Sequence, residues 1–276
     1  MPIDPERLLS HSFAERRTSY QERDAILYAL CCGAGPDSLP LVHEDGLRVI
    51  PSFGQNLSFD DSWMDAAGVD LARVVHGGLD LRLHRPFAAG ATLAARTRIA
   101  GLVDKGPGKA GLVLVETVLH DGGEPVFTSR STLFVMGGGG FGGDRGEAPG
   151  VVQTPERAPD LTVQHATRPD APLLFRLLGD LNPLHVLPGA ARAAGFPGPI
   201  MHGANTFGIV CREALERFAD SEPAQMRRIA ARFSGPLFPG ETLEISFWHE
   251  GDGLRFTAGA VERGAPVLGG GLVELG

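Results

Sequence analysis

Leu178-Gly179-Asp180-Leu181-Asn182-Pro183-Leu184-His185, followed after a short interval by Met201-His202-Gly203, carries the densest chemistry in the chain. A carboxylate, a carboxamide and an imidazole fall within six consecutive residues, 180–185. Gly179 loosens the backbone before them and Pro183 removes a donor among them, so a continuous helix is opposed. From a loop, Asp180 and His185 can turn toward a common point and together hold and deprotonate a water. The same spacing also suits a turn with an Asx cap beside a buried histidine. His202-Gly203 adds weight to the acid/base reading. A helical run is expected from Ala204 to Ala219, and Gly203 would present a backbone N–H at its positive end. Carboxylate, imidazole and such a donor suit a carbonyl substrate.

The motif sits in the second of two similar halves. The first half opens with a helical stretch, Asp24 to Cys32, that stops at Gly33-Ala34-Gly35-Pro36; Pro51 to Asp65 is mixed and holds a short helix. Strands are predicted at Val75 to Leu83, Thr92 to Val103, Gly111 to His120 and Pro125 to Val135, joined by Gly- and Asp-rich turns. In the second half, helix is predicted at Ala171 to Leu178 and Ala204 to Ala219, where Phe207, Val210, Ala214, Leu215 and Phe218 lie near one stripe. Strands follow at Ile229 to Phe233, Thr242 to Glu250, Arg255 to Glu262 and Pro266 to Glu274. Three short correspondences run in register: Arg85–Leu93 with Gly235–Leu243, Pro51–Gly54 with Asn205–Gly208, and Glu124–Val126 with Ala265–Val267. Each half reads as a helix followed by an antiparallel sheet, an α+β plan. Only the second carries an acid/base pair, and polar residues (Gln55, Asn56, Asp60, Asp61) break the helix of the first.

Between the halves, Gly137 to Gly143 is almost all glycine and contains a literal Gly-x-Gly-x-x-Gly after a strand. A dinucleotide site would need a helix to begin at once. The continuation Asp144 to Gly150 reads as loop, so the segment is expected to be a flexible link. The expected division is 1–136, a linker at 137–150, and 151–276.

Composition bounds the rest. The chain has 276 residues, 43% of them hydrophobic, and a net charge of −8 without a long basic run. That argues against nucleic acid or an anionic membrane as partner. Cys31, Cys32 and Cys211 are an odd number with no Cys-x-x-Cys pair, which suits a reducing compartment. No apolar run reaches ~18 residues, so no membrane span is expected. Neither a signal peptide nor a C-terminal peroxisomal address is read, so the expected location is cytoplasmic. Asp180, Asn182, His185 and His202 form a conceivable O/N ligand set, but the loop lacks the further Gly and Glu of a calcium hand, and no metal is expected.

Gly-Asp-x-Asn-Pro-x-His, with Gly195-Phe196 and Ile200-Met201-His202-Gly203 behind it, resembles the hydratase 2 motif of MaoC-like (R)-specific enoyl-CoA hydratases. The similarity extends over nearly the whole chain and is greatest to the hydratase 2 unit of peroxisomal multifunctional enzyme type 2. This resemblance implies a tandem hotdog fold, each half a long or degenerate helix wrapped by a curved antiparallel sheet. It implies reversible syn hydration of trans-2-enoyl-CoA to (3R)-3-hydroxyacyl-CoA without cofactor, CoA being part of the substrate, and a homodimer. Carried over residue by residue, the catalytic set is Asp180, His185, Asn182 and Gly203; the substrate-binding set is His76, Gly77, Lys105, Leu181, Pro183, Leu184 and Phe233. For Asn182 an Asx-Pro cap is the competing role, for Gly203 close packing and for Phe233 the core; the resemblance places His202 beside the site, but its expected role is that of a core histidine satisfied by backbone. In the family the degenerate half makes room for a bulky acyl tail. A 3-hydroxyacyl carrier-protein dehydratase, a non-catalytic acyl-CoA binder and, more weakly, a thioesterase on the same fold are the alternatives.

Overall fold

The computed structural model describes residues 2–70, 73–146 and 152–276. The end of the expected linker, residues 147–150, lies outside them. Five strands come from the first half: β1 (Arg16–Tyr20), β2 (Val74–Leu83), β3 (Ala91–Asp104), β4 (Gly111–Asp121) and β5 (Glu124–Val135). Five come from the second: β6 (Leu161–Ala166), β7 (Met226–Phe233), β8 (Thr242–Glu250), β9 (Gly253–Ala260) and β10 (Ala265–Leu275). They form one ten-stranded sheet in the order β1-β3-β4-β5-β2-β7-β10-β9-β8-β6. Read from its outer edge inward, each half has the same strand order, so the weak sequence repeat is a repeat of topology.

The halves join at β2 and β7, which pair antiparallel from Gly78↔Arg232 to Arg82↔Arg228. Arg228 holds this seam with a two-pronged bond to Asp80 (2.7 and 2.8 Å) and a third contact to Glu274 at 2.6 Å. Planar guanidinium against carboxylate fixes direction as well as distance.

The helices are α1 (Pro5–Leu9), α2 (Glu22–Cys31), α3 (Leu39–Val42), α4 (Gly54–Ser58), α5 (Ser62–Ala67), α6 (Ala171–Phe175), α7 (Pro188–Ala193) and α8 (Gly203–Phe218). The sixteen-residue α8 is buried from Asn205 to Leu215. Its counterpart in the first half is broken into α4 and α5, as the polar residues predict. Phe59 turns extended after α4, and Asp60 accepts from the Ser62 N–H at 3.1 Å to restart the chain. The principal core runs through both halves, including Phe53, Phe127, Phe175, Phe207, Phe247 and Phe256.

Several expected boundaries move. β1 and β6 were not expected: each is a short edge strand with a single buried side chain, Tyr20 in one and Val163 in the other. β9 ends at Ala260, because Glu262 lies in the following turn and accepts from the Thr242 N–H at 2.9 Å. The helix expected to Leu178 becomes a 3-10 turn from Arg176.

The glycine run is held at its start. Asp104 Oδ1 accepts from Gly106 (2.8 Å) and Gly140 (2.7 Å), and Oδ2 accepts from Gly142 at 2.7 Å. These donors keep the Asp104 carboxyl below its ordinary range. Gly140 and Gly142 have φ of 97° and 83°, the left-handed region that glycine adopts without strain. Two N–H groups of the dinucleotide-like motif thus face a carboxylate of the protein itself.

Candidate active site

Gly179, with φ of 111°, ends the 3-10 turn after α6 and releases the chain into the motif loop. Asp180 Oδ1 accepts from the Asn182 N–H at 3.1 Å, and Asn182 Oδ1 accepts from the Leu184 N–H at 3.0 Å. Asn182 therefore caps the short turn Pro183–His185 through its oxygen, which is the Asx-cap role. Leu181 is 61% exposed, Pro183 is exposed and Leu184 half-buried. His185 points inward and is buried.

The Ile200–Gly203 stretch meets this loop from the other side. The Met201 N–H donates to the Leu237 carbonyl at 2.8 Å, anchoring it. His185 Nδ1 donates to the Ile200 carbonyl at 3.0 Å. A carbonyl can only accept, so this bond sets the tautomer and leaves the lone pair of Nε2 free. His202 stacks on His185 with ring centroids 3.8 Å apart, and its Nε2 donates to the Asp180 carbonyl at 3.3 Å. One donor atom each from Asp180, His185 and His202 lies within 4.8 Å of the others. That spacing suits a small bound species.

Burial pushes the His185 imidazole below its ordinary value, against an opposing pull from its bond to Ile200 and from Asp180. Burial, reinforced by His185, takes His202 down to about 4. Both rings are neutral at physiological pH.

Gly203 opens α8, so its N–H has no acceptor inside the helix. A Cβ added there would lie 3.0 Å from the Phe233 ring. Phe233 also packs on His76, centroids 5.1 Å apart. His76 is lowered to about 4 by burial, and its Nε2 has no partner among the described residues. Gly77 lies in a β-bulge between His76 and Gly78, where a Cβ would strike the Phe134 ring. Side chains alternate across a strand, so Arg232, beside Phe233, faces away from the histidines. With Gly77, Gly78, Arg98, Lys105 and Arg130, it lines a groove of about 570 Å³. Arg98 and Arg130 hold Glu116 at 2.8 and 2.6 Å, and Lys105 donates to the Gly146 carbonyl at 2.6 Å. Among the described residues, Lys105 and Arg232 have no carboxylate partner.

Residues 18–137 match the family described as MFE-2 hydratase 2 N-terminal domain, and residues 151–270 match the MaoC like domain. The chain is 33% identical over 291 residues to the peroxisomal enoyl-CoA hydratase 2 of Arabidopsis thaliana, covering 95% of this chain and 93% of that protein. The chain belongs to the MaoC-like hydratase 2 family. Its similarity to the mouse peroxisomal multifunctional enzyme type 2 is 33% over 280 residues, 97% of this chain but 38% of that longer enzyme. Among solved structures, a MaoC-like dehydratase from Phytophthora capsici superposes with a TM-score of 0.91 at 30% identity, covering 99% of this chain and 98% of that one. A Mycobacterium tuberculosis protein with a double hotdog fold superposes with a TM-score of 0.59 at 17% identity, covering 94% and 92% of the two chains. This hydratase 2 family member has that double hotdog fold.

The motif loop brings Asp180, Asn182 and His185 to the start of α8 and so to Gly203; His76 and Phe233 stand beside them. Lys105 is set apart, at the groove. His202 is the buried histidine bonded to backbone that the sequence led us to expect, through its Nε2 to the Asp180 carbonyl; its stacking on His185 also makes the ring a wall of the site. Its position directly before a helix start was the signal. Phe175, which packs on His202 with centroids 4.8 Å apart, had none, because the contact exists only after folding.

Proposed function

We propose that the protein catalyses reversible syn hydration of trans-2-enoyl-CoA to (3R)-3-hydroxyacyl-CoA, with Asp180 and His185 as the acid/base pair. One observation carries this reading: the His185 Nδ1 is committed to the Ile200 carbonyl, burial disfavours the charged ring, and Asp180, His185 and His202 each place a ligand atom within 4.8 Å of the others at the head of α8. In the forward reaction His185 Nε2 takes a proton from water as the water oxygen bonds to C3. Charge moves to the thioester oxygen, which the Gly203 N–H stabilises as an oxyanion. The proton then passes from Nε2 to C2 on the same face, so the net change is addition of one water. Asp180 accepts the water's other hydrogen and orients it, and the uncommitted amide NH2 of Asn182 can bind the thioester or the water. His76, Gly77, Leu181, Pro183, Leu184 and Phe233 contact the substrate around the thioester, and Lys105 meets a CoA phosphate. The first half is non-catalytic and the second, from residue 151, carries the chemistry.

Crotonyl-CoA hydration followed by loss of enoyl absorbance tests this. Asp180→Asn and His185→Gln should each lose on the order of 10²-fold or more in kcat, while a chelator leaves the wild type unchanged. Coupling to a (3R)-specific dehydrogenase should consume the product. Binding of enoyl-CoA without turnover would instead favour the non-catalytic acyl-CoA binder, and turnover only of a carrier-linked thioester the carrier-protein dehydratase. The same reading carries a homodimer in the reducing cytoplasm, consistent with three buried free thiols; a native mass of a single chain would contradict it.

A further inference from the structure

The glycine run between the halves is fastened where it begins. It lies across the turn between β3 and β4, residues 104–110, which carries Lys105. The Gly139 N–H donates to the Lys109 carbonyl at 3.0 Å, and the Asp104 N–H donates to the Asp144 carbonyl at 2.7 Å. The approach is close. A Cβ on Gly139 would lie 2.5 Å from the Gly106 oxygen and 2.8 Å from that of Ala110, so glycine is required there. Lys105 closes the far end by donating to the Gly146 carbonyl at 2.6 Å.

Asp104 joins the turn to the run. It is 2% exposed. Its Oδ1 accepts from Gly106 of the turn and from Gly140 of the run, and its Oδ2 accepts from Gly142. The bond from Gly106 closes an Asx-turn whose middle residue is Lys105. The Lys105 N–H donates to the Ala110 carbonyl at 3.2 Å, which holds the same backbone from the other side. The direction in which the Lys105 side chain leaves the chain is thus set by the Asp104 carboxylate. An ammonium has three hydrogens, and the Gly146 carbonyl takes one of them. Lys105 lines the groove that Arg232 also lines. The next residue of β7, Phe233, packs on His76 and lies where a Cβ on Gly203 would touch it. Pairing of β2 with β7 stops at Gly78↔Arg232, so the groove ends one strand residue from the groups that flank the motif.

We propose that Asp104 is a positioning residue for CoA: by fixing the Asx-turn and holding the glycine run against it, Asp104 aims the Lys105 ammonium at a CoA phosphate. This rests on the hydratase reading above, in which Lys105 meets that phosphate. Asp104 itself touches no substrate. The start of the run between the halves then belongs to the nucleotide end of the site, and only thioesters that carry the nucleotide depend on it.

That dependence gives the test. Crotonyl-CoA is compared with crotonyl-N-acetylcysteamine, which has the same reacting atoms and no phosphate. Asp104→Asn keeps the size but offers one acceptor oxygen in place of two. It should raise KM for crotonyl-CoA by about tenfold with little change in kcat, while kcat/KM for the truncated thioester moves by less than about twofold. In a Lys105→Met background the same substitution should add less than about twofold to KM, because the two residues act as a unit. Equal losses on both thioesters would reduce Asp104 to a structural residue and overturn the proposal. So would an unchanged KM, or a full further rise in the Lys105→Met background. Should Asp104→Asn fail to fold, Gly142→Ala loosens the Oδ2 bond alone and is read the same way, since its Cβ has room but its φ of 83° strains an alanine. Should wild type hydrate neither thioester, the hydratase reading falls on its own, and calorimetric Kd values for CoA decide. Binding weakened by about tenfold in Asp104→Asn supports the proposal; an unchanged Kd, or no binding by wild type, sinks it.

Discussion

His185, His202 and His76 share one physical condition: an imidazole placed where burial disfavours its charged form. For His185 this keeps Nε2 available as a base across neutral pH, so the acid limb of activity should lie below the ordinary histidine value of about 6.5. The same burial has a thermodynamic consequence. The folded protein resists protonation that the unfolded chain accepts, so it binds fewer protons as pH falls. Stability from these groups is fully present above about 6.5 and is lost as pH drops toward about 4, the value reached by His76 and His202. For His76 the loss at the lower end is on the order of 3 kcal/mol. Asp104 and Glu116 lie below their ordinary values of 3.8 and 4.5, so their contributions fall away only at lower pH. Thermal melts should therefore show Tm declining from pH 6.5 to 5, with a slope reduced by about one proton in His76→Asn. A flat wild-type profile across that window would contradict the neutral assignment.

α8 was legible before folding, through its apolar spacing and the glycine at its start. Its polar residues were not. Asn205 Nδ2 donates to the Cys31 carbonyl and Arg212 Nε to the Cys32 carbonyl, both at 2.8 Å, satisfying the C-terminal end of α2 from the other half. Arg212 is 5% exposed and also pairs with Glu213 and Glu216. Removing one member of a buried ionic network leaves the others desolvated and unpaired. Arg212→Met should lower the urea-unfolding free energy by about 3 kcal/mol or more; a change under about 1 kcal/mol would mean that Arg217, 2.8 Å from Glu213, suffices alone. The long strands were equally legible, because buried alternation over nine or more residues is a strong signal. The edge strands β1 and β6 lacked it: a strand with one buried side chain looks polar until its partner is known. β9 was expected to end two residues too late for a related reason, since Glu262 bonds to Thr242 across the hairpin end.

Across the molecule, the sequence by itself determined the α+β class, the repeat of two halves, and the placement of Asp180, Asn182 and His185 in one loop. Those properties depend on local periodicity, on turn chemistry at Gly179 and Pro183, and on residues close in the chain. Tertiary structure alone decided that the two sheets fuse at β2 and β7, with Arg228 clamped on Asp80 across a separation of 148 residues. It alone decided that His202 stacks on His185, that the Ile200 carbonyl selects the tautomer, and that the glycine run lies against Asp104. Such contacts depend on packing between distant segments, where distance and direction in space replace spacing along the chain. No residue pattern of period 2 or 3.6 encodes them.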